Sequence, residues 1–180
     1  MFVVKYKGNF GFIKPWTAVR DDNTFSQQFL TPSIIEGMEK ELFPELLNIP
    51  GIHKIVHHKL KYDKMDGQQE VILSKSFIHK NNMYIRGRSI VKRFVLVNPQ
   101  LWLAFAKLED AQVASEQHLC LCRNEDILLP DSEIAEMTNE EFEALSGFEL
   151  KFEKTNQSIL VGYNRFNNNK PMYGWLDYHE

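Results

Sequence analysis

The order in which the hydrophobic period changes along this chain constrains its fold more than any other feature. MFVVKYK alternates and is rich in β-branched and aromatic residues, which predicts a first strand, broken by Gly8, Asn9 and Gly11. Residues 14–31 show no period and predict a long loop. The spacing then shifts to about four, with Ile34, Met38 and Leu42 on one stripe beside Ile35, and predicts a helix ended by Pro44. It can start as a Ser33–Glu36 capping box or equally at Thr31, with Pro32 as its first residue. Gly37, inside that helix, implies a close approach of backbone or ligand.

Alternation returns in 52–64 and 69–78, which flank Asp66-Gly67, a hairpin signal. It continues through 84–97, where Val91, Arg93, Val95 and Val97 oppose Ile90, Lys92, Phe94 and Leu96. Asn98-Pro99 predicts a helix start, followed by Leu101, Phe105, Leu108 and Gln112 at helical spacing. HLCLC (118–122) reads as a core strand with small buried cysteines. Strand, helix, hairpin, further strand, helix and strand give an α+β fold with a ferredoxin-like β-α-β-β-α-β core and extra hairpins. That core spans 1–123. The acidic remainder, 124–180, is expected to place a helix (Thr138 and Glu141 as capping box, Gly147 as stop) and three strands, FELKFEK, SILVGY and MYGWLDYH, on the same domain.

The net charge of −3 hides an asymmetry, +7 over residues 1–107 and −10 over 108–180. Residues 53–93 hold 10 Lys/Arg, 3 acidic residues and four of the six histidines. Lys54, Lys59, Lys61, Lys75, Lys80, Arg86, Arg88, Lys92 and Arg93 are thereby placed on or beside neighbouring strands, with His57, His58, His79 and Tyr84 among them. Clustered cations with interleaved aromatics suit a nucleic acid, the lysines and arginines meeting phosphates and Tyr62, Phe77 or Tyr84 stacking on bases. The other reading is an edge protected by charge.

Other chemistries find little support. His57 and His58, adjacent on a strand, point to opposite faces and cannot easily share an ion. His118, Cys120 and Cys122 face one side, but the outer pair lie roughly 13 Å apart, too far for one zinc. No nucleotide-loop, dinucleotide, zincin or nucleophile-elbow motif occurs, so no cofactor is expected. Lysines at 5 and 7 interrupt the N-terminal apolar stretch, no apolar run is long enough to span a membrane, and the two cysteines sit too close to staple a fold. These features predict a cytoplasmic protein without a membrane partner.

GNFGFIKPW…TFSQQFLTPSIIEGMEKELF resembles the CRISPR-associated RAMP subunit that caps the 5′ handle of the guide RNA in type I (Cascade) complexes. Gly8, Phe10, Arg20, Thr31, Pro32, Ser33 and Gly37 match its opening strand, arginine loop and T-P-S-x-x-x-G helix start. The resemblance covers the first third of the chain. It implies a ferredoxin-like, non-catalytic subunit that grips crRNA, in part through Arg20, and packs against the backbone and large subunits. The loop 14–29 would correspond to the family's thumb-like region. One branch of the family cuts precursor RNA without metal, using a Tyr where this chain has Phe43, which lacks the hydroxyl. The alternatives are a metal-independent endoribonuclease using His57, His58, His79 and Lys80, and an interaction module that binds no nucleic acid.

Overall fold

The computed structural model describes residues 1–15, 23–164 and 168–179, so Arg20 lies outside the described residues. Twelve strands and three α-helices are described, besides a 3-10 turn at Pro44–Leu46: β1 (Phe2–Lys7), β2 (Phe10–Gly11), β3 (Asn23–Phe25), α1 (Pro32–Leu42), β4 (Ile55–Lys61), β5 (Lys64–Lys80), β6 (Met83–Val97), β7 (Gln100–Phe105), α2 (Leu108–Ser115), β8 (Leu119–Cys120), β9 (Ile127–Glu136), α3 (Asn139–Glu143), β10 (Gly147–Lys151), β11 (Ile159–Asn164) and β12 (Lys170–His179). The protein is α+β and dominated by strands. Among the described residues no helix is long and apolar enough to cross a membrane.

Eight strands form one antiparallel sheet in the order β11-β12-β10-β4-β7-β1-β9-β8. At its centre β1 lies between β7 and β9, and β7 between β1 and β4. Helix α1 leads from β1 towards β4, and α2 from β7 towards β9. Both helices cover one face, where Ile35, Met38, Leu42, Ala111 and Ala114 pack on Val4, Tyr6, Leu60, Leu101, Leu103 and Phe105. Phe142 of α3 packs on the other face, against Val3, Trp102 and Ala104.

Helix α1 starts with Thr31 as N-cap and proline in its first turn; the Ser33–Glu36 box does not form. Glu36 instead pairs with Lys40 and accepts the Gly51 amide. Glu39, wholly buried, accepts the amides of His53, Lys54 and Ile55, satisfying the backbone that leads into β4. Gly37 needs correction: a Cβ there would meet nothing within 4 Å, so no close approach requires it. Gly37→Ala is therefore expected to stabilise the protein by about 1 kcal/mol, read from urea melts.

Four further expectations give way. Asp66-Gly67 is no turn but part of β5, and the hairpin closes at Asn81-Asn82, with φ of 50° and 59°. Two left-handed residues make a tight turn matched to strand twist, and asparagine tolerates that region best after glycine. The helix expected after Asn98-Pro99 begins only at Leu108, because Gln100–Phe105 is a central strand buried from Leu101 onward. Buried on both faces, it loses the alternation that marks a strand. Residues 127–136, for which no strand was expected, pair with β1 as β9. Within the expected loop 14–31, Asn23–Phe25 pairs in parallel with β6.

The capping box of α3, Thr138 with Glu141, forms as expected. Gly147 opens β10 rather than stopping the helix; at φ 137° its missing Cβ leaves room for the Leu60 carbonyl 2.9 Å away. Leu119 is buried, whereas Cys120 is half-buried and Cys122 exposed, so these cysteines are not core residues.

Candidate nucleic-acid interface

The chain leaves the eight-stranded sheet at Tyr62-Asp63 and returns to it at Asn98-Pro99. An Asn98–Asp63 side-chain bond of 2.7 Å ties the two crossings together. Between them β5 and β6, of 17 and 15 residues, form a hairpin far longer than an ordinary strand pair. Near its base β6 also pairs with β2 and β3. Beyond Val91, side chains on both of its faces are exposed, so among the described residues this part of the ribbon stands clear of the sheets.

Register fixes what each face carries. Side chains alternate along a strand, so Tyr84, Arg86, Arg88, Ile90, Lys92 and Phe94 of β6 share one face. Their β5 partners are His79, Phe77, Leu73, Val71, Gln69 and Gly67. The strip runs about 33 Å, at roughly 3.3 Å per residue. Tyr84 is 74% and Phe77 57% exposed. The Arg86 guanidinium lies 5.1 Å from the Phe77 ring centre, and the His79 and Tyr84 rings are 5.0 Å apart. At the base, Lys92 Nζ sits 4.9 Å from the Phe94 ring, which stacks on Phe25 at 4.2 Å. Gly67 makes this possible, since a Cβ there would lie 2.3 Å from Cε of Lys92.

From residue 71 to 93 the sequence contains no Asp or Glu. Among the described residues none of Lys80, Arg86, Arg88 and Lys92 has a carboxylate within salt-bridge reach. Cations without counter-charges, spaced between aromatic rings on an exposed ribbon, can meet phosphates and stacked bases at little desolvation cost. Lys75 is part of β5, but its side chain lies outside what is described.

The remaining expected residues stand elsewhere. Arg93 points to the opposite face of β6, bound to Glu70, which also meets Arg123. Arg123 in turn pairs with the buried Asp126, and both guanidinium groups lie over Phe12. That network anchors the hairpin base. Lys54 bridges Glu45 and Asp110 at 2.9 Å each, above the Phe43 ring. Lys61 donates to Ser146, and Tyr62 stacks on Phe148.

His57 bonds Glu149 at 3.1 Å, and that bond raises its pKa above the ordinary value. Burial alone would raise the Glu149 pKa, but the two histidines hold it below the usual carboxylate range. His58 is buried, and desolvation pushes its pKa down to about 4. Lys59 is 0% exposed and donates to the carbonyls of Phe142, Glu143 and Leu145 at the C-terminal end of α3. A cation there complements the helix dipole and satisfies orphan acceptors. Lys59→Met takes this donor from the Glu143 and Leu145 carbonyls, while the Phe142 carbonyl keeps its bond from the Leu145 amide, and is expected to cost about 2 kcal/mol in denaturant melts.

Glu143, Asp177 and His179 bring ligand atoms within 4.8 Å of one another. The Lys151 ammonium already binds Glu143 at 2.7 Å and Asp177 at 2.9 Å, so a cation sits on both carboxylates from within the chain.

Phe25 and Phe94, stacked at the base of this strip beside Lys92, were not among the residues expected there. Phe94 was legible, since it shares the even-numbered face with Lys92; Phe25 was hidden in an aperiodic stretch. No protein-family model matches the chain, and no curated protein is significantly similar to it.

Proposed function

We propose that this chain holds single-stranded RNA along the even-numbered face of the β5–β6 hairpin and does not cut it. The observation that carries the reading is the strip of Tyr84, Arg86, Arg88 and Lys92, interleaved with Phe77, Phe94 and Phe25, with no acid from residue 71 to 93. A flat exposed ribbon cannot enclose a base pair, but it offers ring faces to unpaired bases and cations to the backbone beside them.

The narrower form of the proposal is a non-catalytic, cytoplasmic subunit of a type I CRISPR surveillance complex, holding the 5′ handle of the guide RNA beside the backbone and large subunits. Three features support it. The strand order β9-β1-β7-β4, with α1 and α2 on one face, supports a ferredoxin-like core. The Thr31-Pro32 helix start is used. The opposite face of the hairpin exposes Ile72, Ile78, Met83 and Ile85, which suits a chain that works against protein neighbours.

The cleavage reading has less behind it. Phe43, where a processing relative carries its Tyr, is 1% exposed and packs edge-on against Phe105. The four candidate acid–base groups are not brought together. His57 and His58 lie on β4, whereas His79 and Lys80 lie at the hairpin tip, about 50 Å along β5 at the usual rise.

Co-expression with neighbouring genes, followed by sequencing of the RNA that co-purifies, tests the proposal. Short RNAs sharing one 5′ end are the expected result. A chain that purifies free of RNA, and ignores single-stranded RNA at low salt, leaves the hairpin as a protein-docking element and sinks the RNA reading.

A further inference from the structure

Strand register carries the core face of the central strands outward. Tyr6, Leu101 and Leu60 lie opposite one another on the helix side, and the same row continues through Phe148 of β10 to Tyr178 of β12. The helices do not follow it, since α2 packs on β1, β7 and β9, and α1 beside β8. On this side Phe152, Ile159, Leu176 and Tyr178 are left between 40 and 57% exposed. The Phe148 ring lies 6.0 Å from Tyr62 and 5.9 Å from Tyr178, and Phe152 stacks on His58.

The charges of these strands point the other way. Lys59 is held by the carbonyls at the end of α3, Glu149 by His57, and Lys151 by Glu143 and Asp177. An antiparallel sheet with one open face ordinarily turns its polar residues to water and its apolar ones to the core. Here the open side is the apolar one, which marks a surface built to be covered.

The two ends of the strip carry opposite charges. Lys170 shares a face with Leu176 and Tyr178 by alternation along β12, roughly 26 Å from Tyr178 at about 3.3 Å per residue. Among the described residues it has no carboxylate within salt-bridge reach. Glu153 and Lys154 stand by the same groove, one charge of each sign, so the net charge of this end is that of Lys170. At the other end Asp63 follows Tyr62. Its carboxylate accepts from the Asn98 amide and meets no cation among the described residues, because Lys64 pairs with Asp66 and Lys61 donates to Ser146.

We propose that this strip is the interface between two copies of the chain, stacked sheet on sheet about a two-fold axis that runs across the strands. The charges select that axis. A two-fold along the strands would set the two Lys170 side chains together, whereas one across them lays the Lys170 end of each copy over the Asp63 end of the other. Aligned sheets keep their strand directions within about 30° of each other, and this antiparallel stacking meets that condition. With the axis near Gly174, midway between Lys170 and Tyr178, the Tyr178 ring of each copy meets a groove in the other. That groove, of about 550 Å³, is lined by Phe152, Lys170 and Met172 among others. No residue of the hairpin strip takes part, so this interface and the RNA reading stand or fall separately.

Sedimentation velocity on nuclease-treated protein over a concentration series tests the interface. The expected result is a monomer–dimer equilibrium that Leu176→Glu weakens about a hundredfold, because it buries an unpaired charge among apolar side chains. Lys170→Glu and Asp63→Lys each set like charges face to face and weaken it as well. A mixture of those two variants should dimerise as the wild type does, since each supplies the charge that the other lacks. All three are compared only where their circular dichroism matches the wild type, and Leu176→Glu leaves the hairpin root untouched. A monomer at every concentration overturns the proposal, as does a dimer that Leu176→Glu leaves intact. Charge variants that mixing fails to rescue overturn it too, and so does a dimer that nuclease treatment abolishes, which is held by RNA.

Discussion

Replacing Arg86, Arg88 and Lys92 together by glutamine lowers the affinity for single-stranded RNA about a hundredfold at low salt and flattens its salt dependence. Each cation that contacts a phosphate contributes roughly 0.7 to the slope of log K against log salt for a single strand, so three removed contacts reduce it by about 2. Tyr84→Ala and Phe77→Ala act differently. Each removes a stacking surface worth about 1–3 kcal/mol per base, roughly tenfold or more in affinity, and leaves the slope unchanged because no counterion is involved. Glutamine keeps most of the aliphatic stem, and all these side chains are exposed or half-buried, so melting temperatures should hardly move. Lys154→Ala, an exposed lysine far from the hairpin in sequence, serves as control and should leave binding intact. Fluorescence anisotropy over a salt series gives both quantities at once. An unchanged slope in the triple variant would place the phosphate contacts elsewhere and end the hairpin reading.

Much of this architecture was legible, and the failures share a physical cause. The amphipathic helix α1 buries one side only, so its period survives in the sequence, while β6 and the terminal strands β10 to β12 were marked by their β-branched and aromatic residues. β7 is buried on both faces and β9 carries a proline and a three-residue bulge, so neither alternates. Asp66-Gly67 carried the stronger turn signal, yet tertiary pairing with β6 overrode it, and the glycine makes room for Lys92 instead. The basic window was read correctly as a concentration of charge, but sequence could not divide it. Lys59 lies within the same window as Arg86, yet is spent on the end of a helix that begins eighty residues later. Only burial and partners separate a cation that builds the fold from one left for a ligand.

The same limit applies to the adjacent histidines, which diverge in the folded protein and set its stability against pH. Unfolded, His58 takes up a proton near pH 6.5; folded, its burial delays that to about pH 4. Between those values the unfolded chain binds more protons, so stability falls as the pH drops through the window, by roughly 3 kcal/mol at its lower end. Glu149, held below its usual range, adds a second loss as pH falls beneath its unfolded value. His57 works in the opposite sense. Its raised pKa gives stability that is complete below pH 6.5 and is lost as pH rises through the folded value. Stability should therefore peak near pH 6.5 and fall more steeply on the acid side. His58→Leu removes the titrating ring yet keeps the backbone amide that donates to Glu149. Since Nε2 of His58 has no partner to lose, the variant should match the wild type near neutrality. At pH 5 it should melt several degrees higher, with only the Glu149 loss remaining below. An acid limb of unchanged steepness in His58→Leu would show that His58 is not the group that the fold keeps neutral.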